Sequence, residues 1–219
     1  MAKQLRVDGR TERSRRTRAR VVDAAGRLFV ENGYVATTVE DVSVAAGVAV
    51  QTVYYLFGNK VSLLGAVLDA SIAGDLEPVP VLERAWVDAL RHEADPAVAV
   101  RRLVAESAAT VARVSSLYKA LRQASADPDV GALLAENHRR RRVVHEAIVA
   151  ILQQSGHLGA GVEFETAVDV YYSIVSEEVF ELFTGQCGWS ADRFREWATD
   201  LLLRELVTGA SPASSAARR

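Results

Sequence analysis

The sequence predicts an all-α protein: an N-terminal three-helix helix-turn-helix domain, then a larger helical domain. Three observations carry this. Apolar residues recur at spacings of three and four, and few runs alternate with a period of two. Only five prolines occur in 219 residues. Helix starts and stops are written locally, as an [ST]-x-x-[DE] capping box at Thr38–Asp41 and as Asn32-Gly33, Gly58-Asn59, Asp95-Pro96 and Asp127-Pro128.

Taken in order, residues 1–13 read as a disordered basic tail. A first helix is expected from about Arg15 to Glu31, with Val22, Ala25 and Phe29 on its inner face and Asn32-Gly33 ending it. Thr38 opens a second helix, with Val39 and Val42 on one face. Gly47 supplies the turn, where a left-handed backbone costs glycine little, and Val48 follows as a buried anchor. Val53 and Leu56 then pack a third helix against the second. Asn59 caps a fourth, whose stripe of Val61, Leu64, Val67 and Leu68 fades near Gly74. Pro78 and Pro80 mark a boundary, and a short helix runs through Trp86 and Leu90. Asp95-Pro96 opens a helix toward Val114; a separate helical segment is expected around Leu117–Ala124. Asp127-Pro128 opens a long helix to about Gln154. The last two helices are expected at about Glu165–Thr184 and Ser190–Val207. The ending GASPASSAARR is small, polar and expected to be disordered. The expected domains are thus residues 14–60 and 61–208 between tails 1–13 and 209–219.

Charge is asymmetric. Residues 1–60 hold ten Lys/Arg against six acids, a balance of +4; the remainder holds sixteen against twenty-two, or −6. A basic head on an acidic body points to a polyanion as partner of the head. No apolar run approaches 18 residues and no signal-peptide segment opens the chain, so no membrane association is expected. The single cysteine, Cys187, excludes a disulfide framework and a Cys-based zinc finger, and a reducing cytoplasm is the simplest compartment.

On the third helix the inward positions leave Val50, Gln51, Tyr54 and Tyr55 to face outward. One amide, two phenols and no acid suit base edges and phosphates. Gln51 matches an adenine edge, Val50 a methyl, and the tyrosines methyls or phosphates. The alternative for Tyr55 is that it packs inward.

Arg18 to Leu64 resembles the DNA-binding domain of the tetracycline-repressor (TetR) family of bacterial transcription regulators. The resemblance rests on AAGRLFVENGY (Ala24–Tyr34), TTVEDV (Thr37–Val42), AAGV (Ala45–Val48), TVYYLF (Thr52–Phe57) and Asn59-Lys60, each at its family distance from the next. GWSADRFREW (Gly188–Trp197) resembles the start of the last helix in many members. Ser43 stands where alanine is common, Ala49 where a serine or threonine cap is common, and Leu56 where a phosphate-contacting histidine is common. The resemblance implies phosphate contacts at Thr38 and Lys60, with Thr52 as a further candidate. It implies a double-stranded DNA operator, a homodimer, a small-molecule effector and a default of repression. The competing reading, kept open by Ala49 and Leu56, is a helical interaction protein of the same fold that has lost specific DNA binding.

For the effector the sequence offers Trp86, Tyr118, His138 and Tyr171 as lining, and a mostly apolar ligand. For a two-fold interface the last two helices offer Tyr172, Val175, Val179, Phe183, Phe194, Trp197, Leu201 and Leu202, because their apolar surface exceeds what a one-sided helix needs. Arg139–Arg142 lies mid-helix and points to all sides, so it reads as salt-bridged surface. No metal is expected, since no two of His92, His138, His145 and His157 stand four apart. No catalytic motif and no cofactor site is present either, and an enzyme is not expected.

Overall fold

The computed structural model describes residues 9–75, 77 and 79–208, and among them helices are joined by turns with no strand. Most of the expected 1–13 tail and all of the 209–219 tail lie outside the described residues. The chain forms two compact units. One holds the chain up to Leu76 together with Ser116–Ala135; the other holds Glu77–Ser115 and the chain from Glu136 onward. The expected boundary at residue 60 is therefore corrected: the fourth helix joins the first unit, as do the end of the sixth helix and the start of the seventh.

In the first unit, α1 spans Gly9–Glu31 and begins earlier than Arg15, so Gly9–Arg13 are helical rather than disordered. The acidic Glu12 pairs with Arg16 at 3.0 Å within this polar stretch. Val21, Val22, Ala25 and Phe29 form its inner stripe and are buried. α2 (Val39–Ala46) buries Val39, Val42, Ser43 and Ala46. α3 (Val50–Phe57) buries Val53 and Phe57. Leu56, expected inside, is only half-buried, and Phe57 takes its place in the core. α4 (Lys60–Ala73) starts on Asn59, whose side chain accepts from the Ser62 amide at 2.7 Å, and buries Leu63, Leu64, Val67 and Leu68. A Cβ at Gly26 of α1 would stand 3.3 Å from Val67 of α4, so these helices approach closely.

The second unit opens with α5 (Ala85–His92). α6 (Pro96–Gln123) starts where Asp95 Oδ1 accepts from the Ala97 amide at 2.7 Å. It is one continuous 28-residue helix, not two segments, because Ser115 and Ser116 lie in the run without breaking its hydrogen-bond ladder. α7 (Pro128–Gln154) follows the Asp127-Pro128 signal as expected. The expected helix over Glu165–Thr184 is interrupted. α8 (Phe164–Ile174) ends at Val175, and Ser176 then caps α9 (Glu177–Glu181) by accepting from the Val179 amide at 3.2 Å. A π-helical turn follows at Leu182–Gln186. α10 (Ala191–Leu202), capped by Ser190, likewise runs into a π-helical turn at Leu203–Thr208. The core of this unit gathers Leu90, Leu103, Val104, Ile148, Leu152, Val168, Tyr171, Phe180, Phe194, Ala198 and Leu202.

Candidate functional site

The first unit presents one helix face that its own core does not use. α2 and α3 are joined through Gly47, which adopts φ 62°, ψ 45° and returns its amide to the carbonyls of Ser43 and Val44. That left-handed turn swings α3 across α2. Burial of Val53 and Phe57 then fixes which side of α3 points outward. Gln51 is exposed, Tyr54 is 47% exposed and Tyr55 87%, while Val50 is half-buried. The inward alternative for Tyr55 is excluded. Two aromatic rings standing in water on an eight-residue helix are not explained by packing.

Around this face the helix ends are fixed with care, apart from one. At α2, Thr38 Oγ1 accepts from the Asp41 amide at 3.0 Å, and Asp41 accepts in return from the Thr38 amide at 2.9 Å. The Thr38 hydroxyl donates to Asp41 Oδ2 at 2.6 Å. These bonds hold the Asp41 carboxyl below the usual carboxylate range. They also commit the one proton Thr38 has, so its hydroxyl is not a free donor for a phosphate. The amides of Val39 and Glu40, which have no partner inside the helix, are the donors left at that end. α3 starts at Ala49 with no side-chain cap. Thr52, the further phosphate candidate, is half-buried in the first turn of α3, and its amide bonds the Ala49 carbonyl at 2.9 Å.

Lys60 begins α4 with its ammonium 4.2 Å from the centre of the Tyr34 ring and donates to the Val35 carbonyl at 3.3 Å. Partial burial lowers its pKa. Tyr34 beneath it is pushed up, first by burial and then by Asp127 and Asp129. Sequence reasoning passed over Tyr34, and also Arg18. Arg18 donates to the Leu56 carbonyl at 3.1 Å and lies 4.4 Å over the Phe57 ring. A cation thus closes the C-terminal end of α3, where the helix dipole favours it. No local pattern announces either contact, since the partners are 26 and 38 residues away in sequence.

The predicted lining residues divide between the two units. Tyr118 is buried in the first unit, whereas Trp86, His138 and Tyr171 belong to the second. Tyr171 is 1% exposed and its hydroxyl bonds Ser107 at 2.8 Å. Burial raises its pKa to about 12. His145 stacks on Tyr171 at 4.2 Å and meets Tyr172 edge-on at 5.4 Å. Burial, reinforced by Arg141 and Arg142, lowers its pKa to about 3.

The arginine run behaves as expected. Arg139 and Arg140 pair with Glu136, and Arg142 reaches Glu146, Glu165 and Asp169. Arg141 differs: it turns inward, donating to Glu177 Oε2 at 2.7 Å and to the Tyr172 carbonyl at 2.6 Å, with its guanidinium 4.0 Å over the Tyr172 ring.

Three of the predicted interface residues are corrected. Val175, Phe194 and Leu202 are 2%, 0% and 0% exposed within a single protomer, so they are its core and not its surface. Tyr172, Val179, Phe183, Trp197 and Leu201 stay partly uncovered, and Leu182 is 45% exposed beside them in sequence.

Residues 21–67 match the family of bacterial regulatory proteins named tetR. That segment, α2 and α3 included, is a TetR-type one. The HTH-type transcriptional regulator TtgR of Pseudomonas putida is 39% identical over 59 residues, which cover 27% of this chain and 28% of TtgR. The chain thus spans less than a third of that relative's length in the match. Beyond this segment the likeness to solved structures is one of fold. A putative transcriptional regulator from Saccharomonospora viridis, solved with choline, superposes with a TM-score of 0.64 at 19% identity, covering 87% of this chain and 97% of that one. FadR from Bacillus subtilis, solved with stearoyl-CoA, gives 0.64 at 19%, covering 87% and 98%. The α2–α3 pair with its exposed Gln51–Tyr55 face lies wholly inside the TetR-matched segment.

Proposed function

We propose that this protein is a DNA-binding transcription regulator, in its default mode a repressor that a small-molecule effector releases from a palindromic operator. The observation that carries this reading is the exposed α3 face, Gln51, Tyr54 and Tyr55, which stands outside the core of its own unit. α3 has the width of element that a major groove admits, and a side-chain amide can bond an adenine at two positions. The α2 amides and Lys60 supply donors for phosphates on either side of it.

A palindrome needs two copies held at fixed separation, so that two α3 helices enter successive major grooves about 34–36 Å apart. The uncovered apolar residues Val179, Leu182, Phe183, Trp197 and Leu201 are the basis for a two-fold contact in the second unit. The effector reading leans on fold relatives solved with choline and with stearoyl-CoA. An effector acts by favouring one separation of the two heads over another.

Selection of bound DNA from a random pool tests the reading. The expected outcome is an inverted repeat, bound with steep salt dependence. Gln51→Ala is expected to relax preference at one base pair in each half-site. Failure to enrich any sequence would sink the proposal. Sedimentation is expected to give a dimer at micromolar concentration, and Leu182→Asp a monomer.

A further inference from the structure

We infer that the second unit binds a divalent first-row transition ion between α7 and α9, on His138, Glu177 and Glu178. The inference goes beyond the regulatory reading and does not depend on it. Each of the three residues offers one ligand atom, and these atoms all lie within 4.8 Å of one another. A tetrahedral site with bonds of about 2.0–2.2 Å separates its ligand atoms by about 3.4 Å, so rotation of the two exposed side chains closes the set.

Proximity of acids alone is weak grounds. The second observation is the state of Glu177. It is 1% exposed, and its two oxygens are used differently. Oε2 accepts from Arg141 at 2.7 Å. Oε1 is buried with no hydrogen-bond partner, and faces His138 Nε2 at 3.8 Å. Burying a carboxylate oxygen without a donor is costly, and native structures seldom leave one so. A cation placed between Oε1 and the imidazole removes that cost. Arg141 then does for Glu177 what outer partners do at metal sites, holding a ligating carboxylate in orientation from its far oxygen.

The ligand chemistry selects the ion. One imidazole with two carboxylates suits zinc and its first-row neighbours better than magnesium or calcium, which prefer oxygen alone. His138 is 45% exposed in its side chain and Glu178 is exposed, which gives the ion a way in and leaves room for water as a fourth ligand. Sequence reasoning dismissed a metal because no two histidines stand four apart. Here one ligand comes from α7 and two come from the start of α9, a set that no local spacing encodes.

The test uses the full chain, stripped with a chelator and dialysed, with Zn2+ titrated in competition with a chromophoric zinc indicator. Expected is one Zn2+ per chain. His138→Ala and Glu178→Gln, both at exposed positions, are each expected to weaken binding 10–100-fold. His92→Ala, at an exposed histidine on α5, is expected to leave it unchanged. Affinity equal in all four proteins would mean that His138 simply pairs with Glu177, and would overturn the inference. So would native binding no tighter than that of the His138→Ala, Glu178→Gln double variant.

Discussion

The α3 helix and the Arg139–Arg142 run of α7 invert what their compositions suggest. α3 reads VQTVYYLF, with no charge, yet it leaves Tyr55 87% exposed. The arginine run is wholly charged, yet its Arg141 side chain is 18% exposed and bonded to a carboxylate more deeply buried still. Apolar surface left in water without a core to join points outward to a partner. Charge taken out of water and paired with a buried carboxylate and a carbonyl holds the fold together. Hydropathy alone assigns both wrongly; the accounting of contacts separates them.

That contrast breaks most readily at the buried pair. Glu177→Ala strands Arg141 beside Tyr172 and is expected to cost about 3–5 kcal/mol, read from the denaturant midpoint. Replacing both partners by Leu and Met is expected to restore most of the loss, since the cost lies in the orphaned charge. Stability retained in Glu177→Ala would place Arg141 with the solvated arginines.

The neighbouring imidazole gives the second-largest effect. His145 is held neutral in the folded chain, with a pKa of about 3 against 6.5 in the unfolded one. Below pH 6.5 the unfolded state takes up a proton that the folded state excludes. The stabilisation is therefore full above pH 6.5 and is lost as pH falls toward 3, by up to about 1.4 kcal/mol per pH unit. Unfolding curves between pH 7 and 4 are expected to be flatter for His145→Gln than for the native chain.

On the α3 side the expected effects are smaller. Ala49→Ser supplies the missing cap and is expected to stabilise by about 0.5–2 kcal/mol, seen as a higher melting temperature. Tyr55→Ala is expected to change stability by less than about 0.5 kcal/mol, because the residue is 87% exposed. On the proposed reading it nevertheless lowers operator affinity, measured by gel shift. A Tyr55→Ala protein that unfolds markedly more easily would remove the contrast from which the functional reading starts.

Much of the first unit was legible because its signals are local. Thr38 with Asp41, Gly47, and Asn59 with Ser62 each specify a helix end within four residues, and all three appear where the sequence placed them. The α3 face was legible for the same reason: once Val53 faces inward, helical geometry places Gln51, Tyr54 and Tyr55. Leu56 and Phe57 were exchanged because adjacent residues on a helix differ by only about 100° and the sequence does not say where α1 lies. The second unit was less legible. Phe194 and Leu202 carry the same spacing whether they face their own core or a second copy, and only the placement of Val168, Tyr171 and Phe180 around them decides it. The break at Ser176 also escaped notice, since a serine within an apolar run is a cap only if the chain has already turned.

Lys60 has a consequence for the thermodynamics of contact with DNA. A lysine free in water gives up about 1.5–2 kcal/mol of rotamer entropy when it is fixed. Here the Tyr34 ring and the Val35 carbonyl already confine the side chain in the unbound protein. Its ammonium has three protons, and the carbonyl takes one, leaving two to offer. On the proposed reading, most of the ordering is thus complete before any phosphate arrives, and a contact made by Lys60 would be rigid from the first encounter.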